Sequence, residues 1–164
     1  MKVPTRFDSA GGNLEEPGKY NFQIQQGYDN EGEYGRSLSL LLKVMDGEYE
    51  GYTRFEKFKL DVHEESKDGI ARGVKKLFTL LDVINGMKEY KDMDEITGEW
   101  KKLQDKLASK ASVAALFDKL AGAAFEGDLA KKKFSGKEYF EIVEFLPIHK
   151  AVQEGQKAAA GDSW

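Results

Sequence analysis

The stretch that decides the fold is GRSLSLLLKVMDGEYEGYTRFEKFKLDV, Gly35 to Val62. Leu38, Leu40, Leu42 and Val44 fall on alternate positions, the period of a strand with one face in a core. Asp46-Gly47 predicts a tight turn, because glycine tolerates positive φ. The chain returns from about Tyr52 to Val62 and carries Tyr52, Arg54, Phe55, Lys57, Phe58 and Lys59 close together. A core strand beside a return strand rich in rings and cations predicts a surface for something flat and negatively charged. Phe58, Leu60 and Val62 share a parity with Tyr52 and Arg54, whereas Phe55 has the opposite one. A bulge near Gly51 would reconcile them. Which of Tyr52, Arg54 and Phe55 faces outward stays open at this point.

Before the hairpin, residues 1–16 are polar and read as a flexible arm, closed by the turn at Pro17-Gly18. Lys19 to Gln25 alternates, with Tyr20, Phe22 and Ile24 on one side, and predicts a half-buried strand. Gly27 to Gly32 is dense in turn formers and reads as a loop. After the hairpin, His63 to Asp68 is charged and turn-like, and Asp68 is a candidate N-cap. Ile70, Val74, Leu77, Phe78, Leu81 and Ile84 recur at helical spacing, so residues 69–84 predict an amphipathic helix ending at Asn85-Gly86. Residues 87–96 read as a polar, acidic connection. A second helical region begins near Thr97, with Trp100, Leu103 and Leu107 on one face. Ser109 or Ser112 re-caps it, and Val113, Leu116, Phe117 and Leu120 continue to about Ala124. Phe125 to Phe134 and Glu138 to Leu146 predict two strands around a Ser135-Gly136-Lys137 turn. The last strand is apolar on parts of both faces, which predicts a central position or cover on both sides. Pro147 stops it, and residues 149–164 read as a flexible tail.

Three strands, a helical segment and two strands give a mainly-β α+β chain. The order matches the OB-fold, a five-stranded barrel, here with an enlarged helical insertion over about 69–124 between strands 3 and 4. The same order also fits a plain α+β sheet with helices on one face. Residues 17–148 form the domain in either case, and 164 residues suffice to bury a core without staples.

Composition narrows the chemistry. Cysteine is absent and there are two histidines, His63 and His149, so disulfides, iron–sulfur clusters and thiolate zinc sites drop out. No metal or cofactor is expected. No apolar run approaches eighteen residues and no signal peptide is read at the N-terminus, which predicts a cytoplasmic protein without a membrane span. The formal net charge of −4 argues against a general nucleic-acid coat, but residues 98–125 hold five lysines against three acids, and a local groove matters more than the total.

No catalytic constellation is present, and the chain reads as a non-enzyme. Gly69 and Gly73 lack the spacing and Ser/Thr of a phosphate loop and read as helix-packing glycines. Glu64-Glu65 and Asp92 to Glu95 read as solvated charged loops. The signal that remains is rings beside cations, the combination that holds single-stranded nucleic acid: bases stack on rings and cations track phosphates. The candidate contacts are Tyr34, Arg36, Lys43, Tyr49, Tyr52, Arg54, Phe55, Lys57, Lys59, Lys131 and Lys133, with Tyr28 and Tyr139 as further rings. Strands favour aromatics in any case, and lysines protect edge strands from aggregation. Lys131 and Lys133 point one way along a strand and Lys132 the other.

Several segments resemble a known family. They are Pro17-Gly18-Lys19-Tyr20; Leu38 to Val44 with Gly47-Glu48-Tyr49-Glu50-Gly51 and Phe55 to Leu60; the helix Gly73 to Leu81; and Phe134 to Pro147. Together they resemble a family of small bacteriophage proteins, some of which are single-stranded-DNA-binding proteins with an OB-fold. The resemblance spans about residues 17–148. It implies a non-catalytic accessory of phage replication or recombination that coats transient single strands in the host cytoplasm. Phage or host replication and recombination proteins would be its partners, and it would be a monomer or small homo-oligomer. It supplies no residue motif for DNA contact. Many single-strand binders end in a long acidic tail with a hydrophobic tip, whereas this chain ends Gly161-Asp162-Ser163-Trp164. Trp164 reads either as a partner hook or as a loose end. The competing reading of the chain is a protein-interaction module, an adaptor or inhibitor of a host enzyme, without nucleic-acid binding.

Overall fold

The computed structural model describes residues 12–33, 35–62 and 67–148. Tyr34, His63, Glu64, Glu65, His149 and Trp164, named above, lie outside the described residues, as do most of the arm and the tail. The chain forms β1 (Gly18–Gly32), β2 (Gly35–Val44), β3 (Thr53–Lys59), α1 (Arg72–Ile84), α2 (Met93–Leu107), α3 (Lys110–Leu120), β4 (Ala124–Phe134) and β5 (Lys137–Leu146). The strands make one antiparallel sheet in the order β3-β2-β1-β4-β5, and the three helices are inserted between β3 and β4. None of the described helices is long and apolar enough to cross a membrane.

β1 is the hinge of the sheet. Its first part, Gly18 to Gln23, pairs with β4, and Phe22 onward pairs with β2. A register shift at Ile24/Gln26 marks the hand-over, where the extra residue of a bulge sharpens the local twist. The strand runs on to Gly32, through the segment whose composition reads as a loop. Cross-strand side-chain bonds hold this extension in the sheet. Arg36 grips Asp29 through two bonds, and Asn30 Nδ2 donates to Ser39 Oγ at 3.2 Å.

The alternation of β2 is as expected: Leu38, Leu40, Leu42 and Val44 are all buried. The β2–β3 ladder is continuous from Ser37↔Lys59 to Lys43↔Thr53, so β3 has no bulge. Arg54, Glu56 and Phe58 therefore face inward, and Phe55, Lys57 and Lys59 outward. The connection spans residues 45–52 and turns back at Gly47 and Gly51, both at positive φ.

Other boundaries moved for local reasons. Residues 12–14 run beside β3: Leu14 N donates to Thr53 O, Thr53 N donates to Gly12 O, and Leu14 is buried in the core. The sequence places them in a mobile arm because a single leucine among polar residues gives no periodicity. α2 starts at Met93 rather than Thr97, because Asp92 caps Glu95 N and Glu95 accepts from Lys91 N. Acids in the first turn suit the helix dipole, so this acidic run is helical and not a connection. Ser109 is the cap that opens α3. Asp68 accepts from Ile70 N, while the N-cap of α1 is Ala71. β5 is an edge strand, not a central one. A register shift opposite Asp128/Leu129 breaks its alternation, and Tyr139 and Val143 are exposed.

The core lies between the inner face of the sheet and the helices, with Phe22, Phe58, Phe125, Leu77 and Leu80 fully buried. α1 crosses β3 at Gly73, where a Cβ would stand 2.0 Å from the Lys59 carbonyl oxygen and 2.3 Å from its nitrogen. Neither backbone atom can step aside. Gly73→Ala is therefore expected to destabilise the protein by about 1–3 kcal/mol, although alanine is the better helix former. Urea denaturation measures this, and unchanged or increased stability would contradict the close approach.

The edges of the sheet, β3 and β5, share no backbone ladder. Side chains join them instead. Glu56 is 1% exposed. Its Oε1 accepts from Arg54 Nε and Nη2, and its Oε2 accepts from Lys76 Nζ of α1 and from the backbone N of Ile142 on β5. Arg54 Nη2 also reaches Phe140 O at 3.1 Å. Phe58 stacks on Phe145 beneath this seam.

Candidate nucleic-acid interface

The register of β1, β2 and β3 places four rows of side chains on the outer face: Gln23–Lys43–Thr53, Gln26–Leu41–Phe55, Tyr28–Ser39–Lys57 and Asn30–Ser37–Lys59. None of these side chains is a carboxylate, and three are lysines, in a chain whose net charge is −4. Among the described residues, no ion pair engages the ammonium of Lys43, Lys57 or Lys59.

Two rings stand on this face. Phe55 is 56% exposed and Tyr28 36%. They meet edge to face with centroids 5.7 Å apart, a favoured aromatic geometry. With Asn30, Ser39 and Lys57 they line a shallow depression of about 390 Å³, near the lower end of ligand-binding clefts, about 300–1,000 Å³. Rings supply a stacking wall, the amide and hydroxyl supply polar groups, and the ammonium supplies a counter-charge.

The other candidates lie elsewhere. Arg36 points inward: its Nε and Nη2 bond Asp29 at 2.9 and 2.8 Å, and its Nη1 donates to Leu107 O at the end of α2. The Arg36 bonds hold the Asp29 carboxyl below its ordinary range and raise the guanidinium. Arg54 belongs to the Glu56 seam. Tyr49 and Tyr52 form an edge-on cluster with Tyr20 in and beside the β2–β3 connection, packed against the core. The two arginines and these two tyrosines thus hold the fold, and the outer face keeps Lys43, Phe55, Lys57 and Lys59.

The β4–β5 hairpin is a separate exposed ribbon. It turns at Ser135-Gly136, both at positive φ, the conformation of a tight I′ turn. Its register puts Lys131 and Lys133 on one face with Glu138, and Lys132, Phe134, Lys137 and Tyr139 on the other. Lys131 pairs with Glu138 at 3.2 Å, and Lys132 approaches Glu141 at 3.6 Å. Phe134, at 74%, and Tyr139, at 43%, are exposed.

Tyr28 stands on this outer face although its segment reads as a loop, and Asn30 and Ser39 carry no sequence signal that separates them from ordinary strand residues. Among the described residues, no group of His, Cys, Asp and Glu is arranged to hold a metal. Compared with known proteins, the chain matches no family model and no curated protein.

Proposed function

We propose that the protein binds single-stranded DNA without sequence specificity, through the outer face of β1, β2 and β3. The observation that carries this reading is that face itself: exposed Tyr28 and Phe55 beside three lysines that have no ion pair among the described residues, with no carboxylate among the ladder rows. Stacking on rings needs no particular base, and ammonium groups follow phosphates of any sequence. Duplex DNA hides its bases from such a surface.

The strand order supports an OB-type barrel. β1 is shared between β2 and β4, and the two edge strands are bridged by Glu56 and Arg54. In such folds the strand 2–3 face and its flanking loops take oligonucleotides. The resemblance to the phage single-strand binders points the same way. The protein then acts without catalysis, in the host cytoplasm, holding strands exposed during replication or recombination.

The test is a titration of labelled oligo-dT and of a duplex of equal length at two salt concentrations. Oligo-dT binds and the duplex does not. With three phosphates neutralised, the slope of log K against log salt is about −2. No binding of oligo-dT at low salt overturns the proposal. A stoichiometric protein partner from nuclease-treated host lysate would then favour an adaptor.

A further inference from the structure

Tyr28 lines a second depression. On its other side, β1 and α3 enclose about 380 Å³, with Phe117 and Ala114 of the helix, Lys110 at the rim, and Gly27 and Asp29 of the strand. The Phe117 ring lies on the strand where glycine leaves room: a Cβ on Gly27 would stand 2.2 Å from it. The ring is half-buried, so part of it remains open to this depression. The chemistry of the first depression is thus repeated, with two rings and a lysine. Tyr28 lines both depressions. Asp29, the acid here, is bonded on both oxygens to Arg36.

Lys110 occupies the first position of α3, and the first turn of that helix has no acidic residue. Positive charge there opposes the helix dipole. Among the described residues it pairs with Glu31 at 3.4 Å, through side chains that are 74% and 65% exposed, an arrangement of little strength. A lysine placed against local preference beside an aromatic depression is suited to an anion supplied from outside.

We propose that the bound strand continues past Tyr28 into this second depression, so that the helical insertion forms part of the binding track. The strand crosses the edge of β1 from the outer face, one base lies against the open part of the Phe117 ring, and Lys110 meets the adjoining phosphate. This rests on the reading of the sheet face as a single-strand site.

Fluorescence anisotropy with oligo-dT of increasing length tests it on the full chain. Ala114→Glu sets a carboxylate into the depression from an exposed helix position, and Lys110→Glu reverses its charge at a site where an acid suits the helix. Both variants are expected to match the wild type on the shortest oligonucleotides that bind. On longer ones they are expected to fall behind by about fivefold or more. Lys110→Glu should also flatten the salt slope by about 0.7. Variants that track the wild type at every length overturn the proposal and leave the sheet-face reading intact. A loss equal at every length overturns it as well. A wild-type protein that binds no oligonucleotide of any length removes the sheet-face reading and this one with it.

Discussion

Glu56→Ala is expected to destabilise the protein by about 3–5 kcal/mol, the usual effect of breaking a buried charge pair from one side. The carboxylate collects donors from three places: Arg54 on β3, Lys76 on α1 and the Ile142 N–H on β5. Alanine leaves all of them without this acceptor where water scarcely enters, since the Arg54 side chain is 11% and that of Lys76 20% exposed. A domain of this kind has about 5–15 kcal/mol in total, so the variant should unfold at much lower urea. Glu56→Gln retains one acceptor oxygen and the shape, and should fall between alanine and wild type. Urea denaturation followed by far-UV circular dichroism measures both. A loss under about 1 kcal/mol for alanine would mean that the seam is held by packing of Phe58 on Phe145 and not by the carboxylate.

Tyr28→Ala combined with Phe55→Ala should abolish most binding of single-stranded DNA. Each stacked base contributes about 1–3 kcal/mol by alanine substitution, so each ring accounts for about 5- to 150-fold in affinity. The two rings touch each other, so their effects need not add. Both are exposed and lie outside the core, so the double variant should unfold within about 1.5 kcal/mol of wild type, the scale of an aromatic pair contact. The informative comparison is with Tyr49→Ala, which alters the Tyr20–Tyr49–Tyr52 cluster and should affect stability more than binding. Equal affinity of the double variant and wild type for oligo-dT would show that the strand lies on another face.

The architecture was largely legible because it is written in periodicity. The alternation of Leu38 to Val44, the helical spacing of Ile70 to Ile84 and the strand–helix–strand order all depend on residues close in sequence. What was hidden depends on partners far away. Gly27 to Gly32 has the composition of a loop, yet it ladders with Gly35 to Leu40, and Phe117, ninety residues on, packs where Gly27 leaves room. Arg54 and Phe55 are adjacent in a strand, and only the register against β2 shows that the arginine turns inward. Of the eleven candidate contacts, Lys43, Phe55, Lys57 and Lys59 share the outer face. Types alone could not separate them from Arg36 and Arg54, because a guanidinium serves a carboxylate and a phosphate by the same geometry.

The place of the helical insertion has a consequence for chain entropy. Phe22 and Phe125 are ladder partners 103 residues apart, whereas Leu38 and Phe58 are partners 20 residues apart. The entropy of closing a flexible loop varies with the logarithm of its length, about 0.6 kcal/mol for each doubling. Joining β4 to β1 is therefore only about 1.5 kcal/mol less favourable than joining β3 to β2. One buried phenylalanine offsets that, and Phe22 and Phe125 are both fully buried where the long loop closes. A five-stranded frame can carry three extra helices at this junction with little thermodynamic penalty.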